Sequence, residues 1–138
     1  MTWYSNSPIA RFLLWGHAGA YRCLPFVPRL GIIVIHPDYR NDVGLLRHEK
    51  THERQHRLYP FTFVPRILFS HKFRMWAELD AFAEQCMPYP PEEDDTRVER
   101  FAEMLATNYH LKISPERAYI QLRQRVRELR AHYVGYFW

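Results

Sequence analysis

The sequence predicts a mainly helical α+β fold in one domain that spans residues 1–138. A chain of this length with 47% hydrophobic residues can bury the core of one ordinary domain. Several long segments repeat apolar residues at helical spacing. Only one short run, Gly31–Ile35, has the β-branched composition of a buried strand.

The first elements are this strand and the helix that follows it. Gly31 and Pro37 bound the β-branched run, and residues 37–42 have the composition of a turn. Asp42 is suited to cap a helix N-terminus with its side chain. We therefore expect a helix from Asp42 to about Leu58.

Four further helices are expected, because prolines and acidic loops divide the remaining chain into periodic segments. They cover approximately residues 64–69, 72–86, 96–109 and 115–132. The last begins with Ser114 as N-cap and Pro115 in the first helical position. Residues 92–132 thus form a helical C-terminal part, and residues 133–138 form an aromatic tail.

Composition narrows the partners and the location. The formal net charge of +4 is modest, and basic residues alternate with acidic ones, so nucleic acid is not the expected partner. Cys23 and Cys86 have no metal-knuckle spacing and predict two free thiols. No apolar stretch reaches the roughly 18 residues that a membrane span needs, and no secretory signal is evident. We therefore expect a cytoplasmic location.

The predicted helix between Asp42 and Leu58 has an unusual inward face. At 100° per residue, one stripe about 100° wide collects imidazole and amide side chains, and no aliphatic residue lies between Leu46 and Leu58. Its members are Leu45, His48, His52, Gln55, His56 and Tyr59, while Arg47, Lys50, Arg54 and Arg57 lie on the other side. Burying unpartnered imidazoles is costly, so this face needs something to satisfy it.

A metal ion would satisfy the histidine face. Histidines at i and i+4, here His48 and His52, point the same way and can reach one ion. Glu49 lies beside the ion in this H-E-x-x-H pattern and can deprotonate a water molecule that the metal holds. The pattern therefore predicts a zinc site with Glu49 as the catalytic base.

A catalytic zinc site needs a third protein ligand. His56 continues the spacing, but three ligands on successive turns span about 12 Å of helix, which is too far for one ion. Glu78 is the better candidate because its helical neighbours are largely apolar. Asp80 and Glu84 are expected to face solvent. The alternative for Glu78 is a salt bridge to a base such as Arg74.

These residues resemble the gluzincin branch of zinc metallopeptidases, in which two histidines and a downstream glutamate hold zinc. The resemblance implies that His48, His52 and Glu78 are ligands, that Glu49 is the base and that the substrate is a peptide or protein. The H-E-x-x-H-x-x-Q helix, together with the later Arg74-x-Trp76-x-Glu78-Leu79-Asp80-Ala81, is also similar to small bacterial and phage-borne proteins. The resemblance covers about residues 31–86 and implies a compact zincin-like core at 29–90.

The sequence departs from that family in three respects, one of which is that it has no room for the second lobe that completes the substrate cleft of the larger enzymes. Larger gluzincins often have an aspartate four residues after the ligand glutamate, and here that residue is Phe82. Gln55 or His56 could instead orient the ligands by hydrogen bonding to them. Asp80 is a less favoured alternative to Gln55. The donor that would stabilise the developing oxyanion is left open among His71, Tyr59 and Tyr109.

Two other functions remain open at this stage. A zinc-stabilised binding module without catalysis would have the same ligands, and a fourth ligand such as His71 would favour it. A helical module could instead bind protein or nucleic acid, with Leu122, Val126 and Leu129 packing inward and the aromatic tail contacting a partner protein. For a peptidase, an open edge of strand Gly31–Ile35 could pair with an extended substrate.

Overall fold

The computed structural model describes residues 2–5, 7, 18–23, 31–109 and 111–135. Within them the fold is mainly helical α+β, as the sequence predicts. The strands are β1 (Thr2–Tyr4), β2 (Gly19–Cys23) and β3 (Gly31–Ile35). The helices are α1 (Val43–Leu58), α2 (Phe63–Phe69), α3 (His71–Cys86), α4 (Asp94–Asn108) and α5 (Pro115–Gly135), with 3-10 turns at Pro37–Tyr39 and Pro91–Glu93.

The strands form a sheet in the order β1-β3-β2, with β1 parallel and β2 antiparallel to β3. β3 has the predicted bounds, whereas β1 and β2 were not predicted. Because both edges of β3 are paired, the expectation that its edge could receive a substrate is wrong. β2 forms an edge of this sheet within the described residues and packs against α1.

Helix α1 begins where its cap predicts. The Asp42 carboxylate accepts a hydrogen bond from the backbone N–H of Leu45 at 2.8 Å. Gly44 then allows α3 to come close, because a Cβ at this position would lie 2.8 Å from the carbonyl oxygen of Gln85 and 2.6 Å from the Tyr89 ring. The close approach brings the histidine face of α1 against α3.

Helix α3 is the central helix of the fold. It packs against α1, α2, α4 and α5, so it has partners on several sides. The main apolar core lies among α3, α4 and α5, and its members include Phe82, Phe101 and Leu105. Leu122, Val126 and Leu129 of α5 belong to this core, as their predicted stripe requires.

The central position of α3 corrects the expectation that Asp80 and Glu84 are solvated. Both carboxylates are buried. Asp80 forms ion pairs with Arg125 at 2.6 Å and Arg54 at 3.1 Å. Glu84 accepts a hydrogen bond from Arg47 at 2.8 Å. Helices α1 and α5 cover this side of α3, and their arginines neutralise the buried charges.

Helix α5 continues beyond the predicted end at residue 132. It reaches Gly135 and includes the first residues of the predicted aromatic tail. Tyr133 packs under the Arg47 guanidinium, with 5.0 Å from Cζ to the ring centroid. Tyr136, Phe137 and Trp138 lie outside the described residues, so the tail as a partner-binding patch stays a prediction.

Two remaining expectations concern the thiols and the membrane. Cys23 and Cys86 are free, in agreement with the sequence. In the described part of the chain, none of the helices combines the length and apolar character needed to cross a bilayer.

Candidate metal centre

Helices α1 and α3 bring three potential ligands together. His48 and His52 lie one turn apart on α1, so their rings project from the same face. Glu78 projects from the second turn of α3 toward them. The close contact between the two helices places residues that are 26 positions apart in the sequence side by side.

The donor atoms of these residues have the separations that one metal ion requires. The Nε2 atoms of His48 and His52 are 3.2 Å apart. Each lies 3.6 Å from Oε2 of Glu78. In the plane of these three atoms, the point equidistant from them lies about 2.0 Å from each, which is the usual Zn–N and Zn–O distance. The group His48, His52 and Glu78 could therefore hold a metal ion.

The cluster is largely shielded from water. His48 is buried, and the side chains of His52 and Glu78 are only 12% and 11% exposed. Two imidazoles and a carboxylate are the donor types that zinc accepts at catalytic sites. Arg74, the alternative partner for Glu78, instead donates hydrogen bonds to the carbonyl oxygens of Ile67 and Leu68.

His48 is oriented by an aromatic ring rather than by a carboxylate. The Phe82 ring meets the His48 ring edge-on, with 4.6 Å between centroids. Burial and the neighbouring His52 lower the pKa of His48 to about 3, although Glu78 and Gln85 act in the opposite direction. His48 is therefore neutral at physiological pH, as a metal ligand must be.

His52 is oriented by Gln55. Its Nδ1 lies 2.9 Å from Oε1 of Gln55, so an N–H at Nδ1 leaves the Nε2 lone pair directed toward the cluster. Gln55 itself donates from Nε2 to the carbonyl oxygen of Ala77 at 3.1 Å and lies 3.5 Å from Oδ2 of Asp80. Among the described residues, the Asp80 carboxylate is thus connected to the cluster through Gln55.

The charge on His52 depends on its acidic neighbours. Burial opposes protonation of His52, but the Glu78 and Glu49 carboxylates outweigh it and raise the pKa to about 9. Without a metal, a proton on His52 therefore compensates the buried carboxylates. A metal ion would replace that proton as the positive charge of the site.

Glu49 is buried beside the cluster. Burial raises its pKa to about 7, with Glu78 adding to the increase, while His52 and a backbone hydrogen bond from Tyr21 oppose it. A carboxylate with a pKa near 7 can both accept and release a proton at neutral pH. The structure thus places the predicted base next to the three potential ligands.

A cavity of about 230 Å³ opens onto these residues. Its lining comes from β2, α1, α2, α3 and the residue after α4: Gly19, Ala20, Tyr21, Arg22, His48, Glu49, His52, Phe63, Ile67, Glu78 and Tyr109. Gly19 keeps this space open, because a Cβ there would lie 3.2 Å from Oε1 of Glu49 and 3.3 Å from the Leu45 methyl groups.

Comparison of the chain with models of known protein families, with curated proteins and with solved structures found no match. The resemblance to gluzincins therefore rests on the residues of α1 and α3 alone.

Of the three predicted oxyanion donors, one lines the cavity. Tyr109 lines it, but the structure does not bring Tyr59 or His71 to it. The Tyr59 ring packs against Phe73 and Trp76, and His71 is exposed at the start of α3. His56 is buried away from the three ligands, and its Nδ1 is 2.8 Å from the hydroxyl of Tyr21.

Sequence reasoning missed part of the surroundings of the ligands. Helical spacing places Phe82 and Gln85, four and seven residues after Glu78, on the same face of the helix, but it does not reveal the contact between the Phe82 ring and His48. β2 lines the cavity with Gly19 and Tyr21, but its pairing with β3 leaves no local signal in the sequence. Ring packing on His48 also has no recognisable motif.

Proposed function

We propose that this protein is a zinc-dependent hydrolase that cleaves peptide bonds in the cavity between β2, α1 and α3. The observation that carries the proposal is the position of Glu49. This buried carboxylate has a pKa raised to about 7 and adjoins three donor atoms that fit one metal ion. A base and a metal site in one cavity are what metal-assisted hydrolysis requires.

In this mechanism Glu49 accepts a proton from a water molecule in the cavity. The water oxygen forms a bond to the substrate carbonyl carbon, the C–N bond breaks, and Glu49 transfers the proton to the leaving amine. A zinc ion held by His48, His52 and Glu78 would lower the pKa of the water and polarise the carbonyl. Phe82 and Gln55 keep the two imidazoles in the required orientation.

Tyr109 is the candidate that supports the developing oxyanion. It lines the cavity, and burial raises the pKa of its hydroxyl, with Glu78 and Glu49 adding to the effect. The hydroxyl therefore keeps its proton at neutral pH and can donate a hydrogen bond. Its ring is fixed by edge-on packing against Phe82 at 5.7 Å.

The edge strand β2 offers a place for the substrate backbone. Gly19, Ala20, Tyr21 and Arg22 line the cavity along this strand. An extended peptide could pair along the side of β2 opposite β3, where no strand lies among the described residues, and place one carbonyl near Glu49. This arrangement replaces the pairing with β3 that the sequence suggested.

The same site without catalysis would be a structural metal centre, which normally has four protein ligands. Among the described residues, the ligand group contains only His48, His52 and Glu78. His71, the residue that could have closed it, is exposed at the N-terminus of α3. The three-residue group favours a site with room for water over a closed one.

Glu49→Gln separates catalysis from metal binding. Purified protein should contain about one zinc per chain by mass spectrometry and should cleave an internally quenched fluorescent peptide library. Glu49→Gln should keep the metal and lose hydrolysis by at least about 100-fold, because it removes the base but no ligand.

Glu53→Gln is the matched control, since Glu53 lies one turn further along α1 and pairs with Arg57 at 3.0 Å. This variant should keep both the metal and the activity. Unchanged hydrolysis in Glu49→Gln would overturn the mechanism. If Glu49→Gln and the wild type bind zinc equally and neither cleaves peptides, the result would favour the non-catalytic module.

A further inference from the structure

Basic and acidic residues alternate in much of the chain, but residues 54–77 are an exception. This segment contains five arginines and lysines and no aspartate or glutamate. Its formal charge of +5 exceeds the +4 of the whole chain, so the remainder has a net charge of −1. The segment runs from the last turn of α1 through α2 into α3.

The same segment exposes large hydrophobic side chains. Five of the nine such residues found exposed in the described part of the chain fall within it: Leu58, Phe61, Leu68, Phe69 and Trp76. Phe69, at the end of α2, is 85% exposed. Scattered single exposures are ordinary, but a concentration of this kind marks an interaction surface.

Contacts within this segment bring two of these residues, Leu68 and Trp76, close to its arginines, and we call the exposed side chains of residues 54–77 the α2 surface. Trp76 packs edge-on against Tyr59 at 6.1 Å, and the Arg66 guanidinium lies over the Tyr59 ring at 5.2 Å. Arg74 hydrogen-bonds to the backbone carbonyl of Leu68 at 2.9 Å. The basic and the apolar side chains are therefore adjacent.

Several charges of the α2 surface are not neutralised within the fold. Arg54 and Arg57 have carboxylate partners in Asp80 and Glu53. By contrast, the ion pairs among the described residues include none with Arg66, Lys72 or Arg74. An acidic surface could compensate these three cations.

We propose that the α2 surface docks the protein onto a lipid bilayer that contains anionic headgroups. Phe61, Leu68, Phe69 and Trp76 would enter the boundary between headgroups and acyl chains, and the adjacent cations would contact the lipid phosphates. Exposed apolar side chains next to basic ones suit this boundary better than nucleic acid, which offers phosphates and stacked bases but no apolar phase.

The α2 surface also adjoins the cavity. Phe63 and Ile67 of α2 line the cavity, while Leu68 and Phe69 of the same helix are exposed. Docking does not require metal or hydrolysis, so it stands independently of the proposed function. If both hold, the cavity operates next to the bilayer.

Vesicle binding tests the proposal directly. The full chain should sediment with vesicles of phosphatidylcholine containing about one third phosphatidylglycerol, should bind pure phosphatidylcholine vesicles at least about tenfold more weakly, and should lose binding as salt rises. The double variant Leu68→Ser/Phe69→Ser should bind at least tenfold more weakly. Lys72→Glu should weaken binding at least about fivefold.

Matched controls come from α5. Val134→Ser removes another exposed hydrophobic residue, and Arg127→Glu makes the same charge change as Lys72→Glu outside the α2 surface. Both should bind like wild type, and thermal unfolding should show that all four variants are folded. Absence of vesicle binding at low salt, or equal losses in surface and control variants, would overturn the proposal. Binding to a DNA duplex that Leu68→Ser/Phe69→Ser leaves unchanged, without vesicle binding, would indicate a nucleic-acid surface instead.

Discussion

Asp80→Asn should destabilise the protein although Asp80 lies outside the metal cluster. The carboxylate is buried and joins three helices, since it contacts Arg54 of α1 and Arg125 of α5 from its position in α3. Removing one member of a buried ion pair typically costs about 3–5 kcal/mol, because the remaining charge loses its partner.

The partial exposure of the two arginines lowers the expected cost of removing the Asp80 charge. The side chains of Arg54 and Arg125 are 53% and 39% exposed, so water can solvate the charges that remain. We therefore expect a loss of about 2–3 kcal/mol in the free energy of unfolding. For a chain of 138 residues this corresponds to a fall of roughly 10 °C in Tm. The measurement is thermal unfolding followed by circular dichroism.

Glu128→Gln provides the comparison. Glu128 also pairs with Arg125, at 3.2 Å, but its side chain is half exposed. An exposed pair of this kind contributes at most about 1 kcal/mol, so Tm should change by no more than roughly 3 °C. Equal shifts in Asp80→Asn and Glu128→Gln would refute the reasoning that burial makes the Asp80 contacts important.

Three further predictions concern the site and the helix contact that builds it. Gln55→Leu should weaken zinc binding by about 10–100-fold, measured by chelator competition, because it removes the hydrogen-bond partner of His52; an unchanged affinity would exclude that role. The affinity for zinc should rise by up to about tenfold per pH unit between pH 6 and 8. The pKa of His52 is raised to about 9, so a proton must leave His52 before the metal binds, and an affinity that does not change with pH would contradict this prediction. Gly44→Ala should lower the free energy of unfolding by about 1–3 kcal/mol in chemical denaturation, because the added Cβ would lie 2.8 Å from the carbonyl oxygen of Gln85. If only the higher helix propensity of alanine mattered, the free energy of unfolding would rise instead.

The helices could be predicted largely from local signals. Asp42 caps α1 as its side chain suggests, and the remaining helices begin and end within a few residues of their expected bounds. Helical spacing also predicted that His48 and His52 share one face and that Glu78 points inward, because these properties depend on neighbours in the sequence. The meeting of the three side chains depends in addition on the packing of α1 against α3.

Other features depend on contacts between distant segments and were not predictable in this way. β1 and β2 are three and five residues long, and they become strands only by pairing with β3. The prediction that Asp80 is solvated assumes that α3 buries only one of its faces. In the fold, α3 is covered on several sides, and arginines from α1 and α5 make burial of that carboxylate possible.

The ring that orients His48 also belongs to the main core of the protein. Phe82 contacts Phe101 of α4 at 4.8 Å between ring centroids. A fragment ending at Cys86 would retain every residue of the metal cluster, yet it would lose the packing that fixes this ring. The C-terminal helices thus contribute to the candidate metal centre through the packing of this ring. Substitutions among their apolar residues could be transmitted to the ligands through a single phenylalanine.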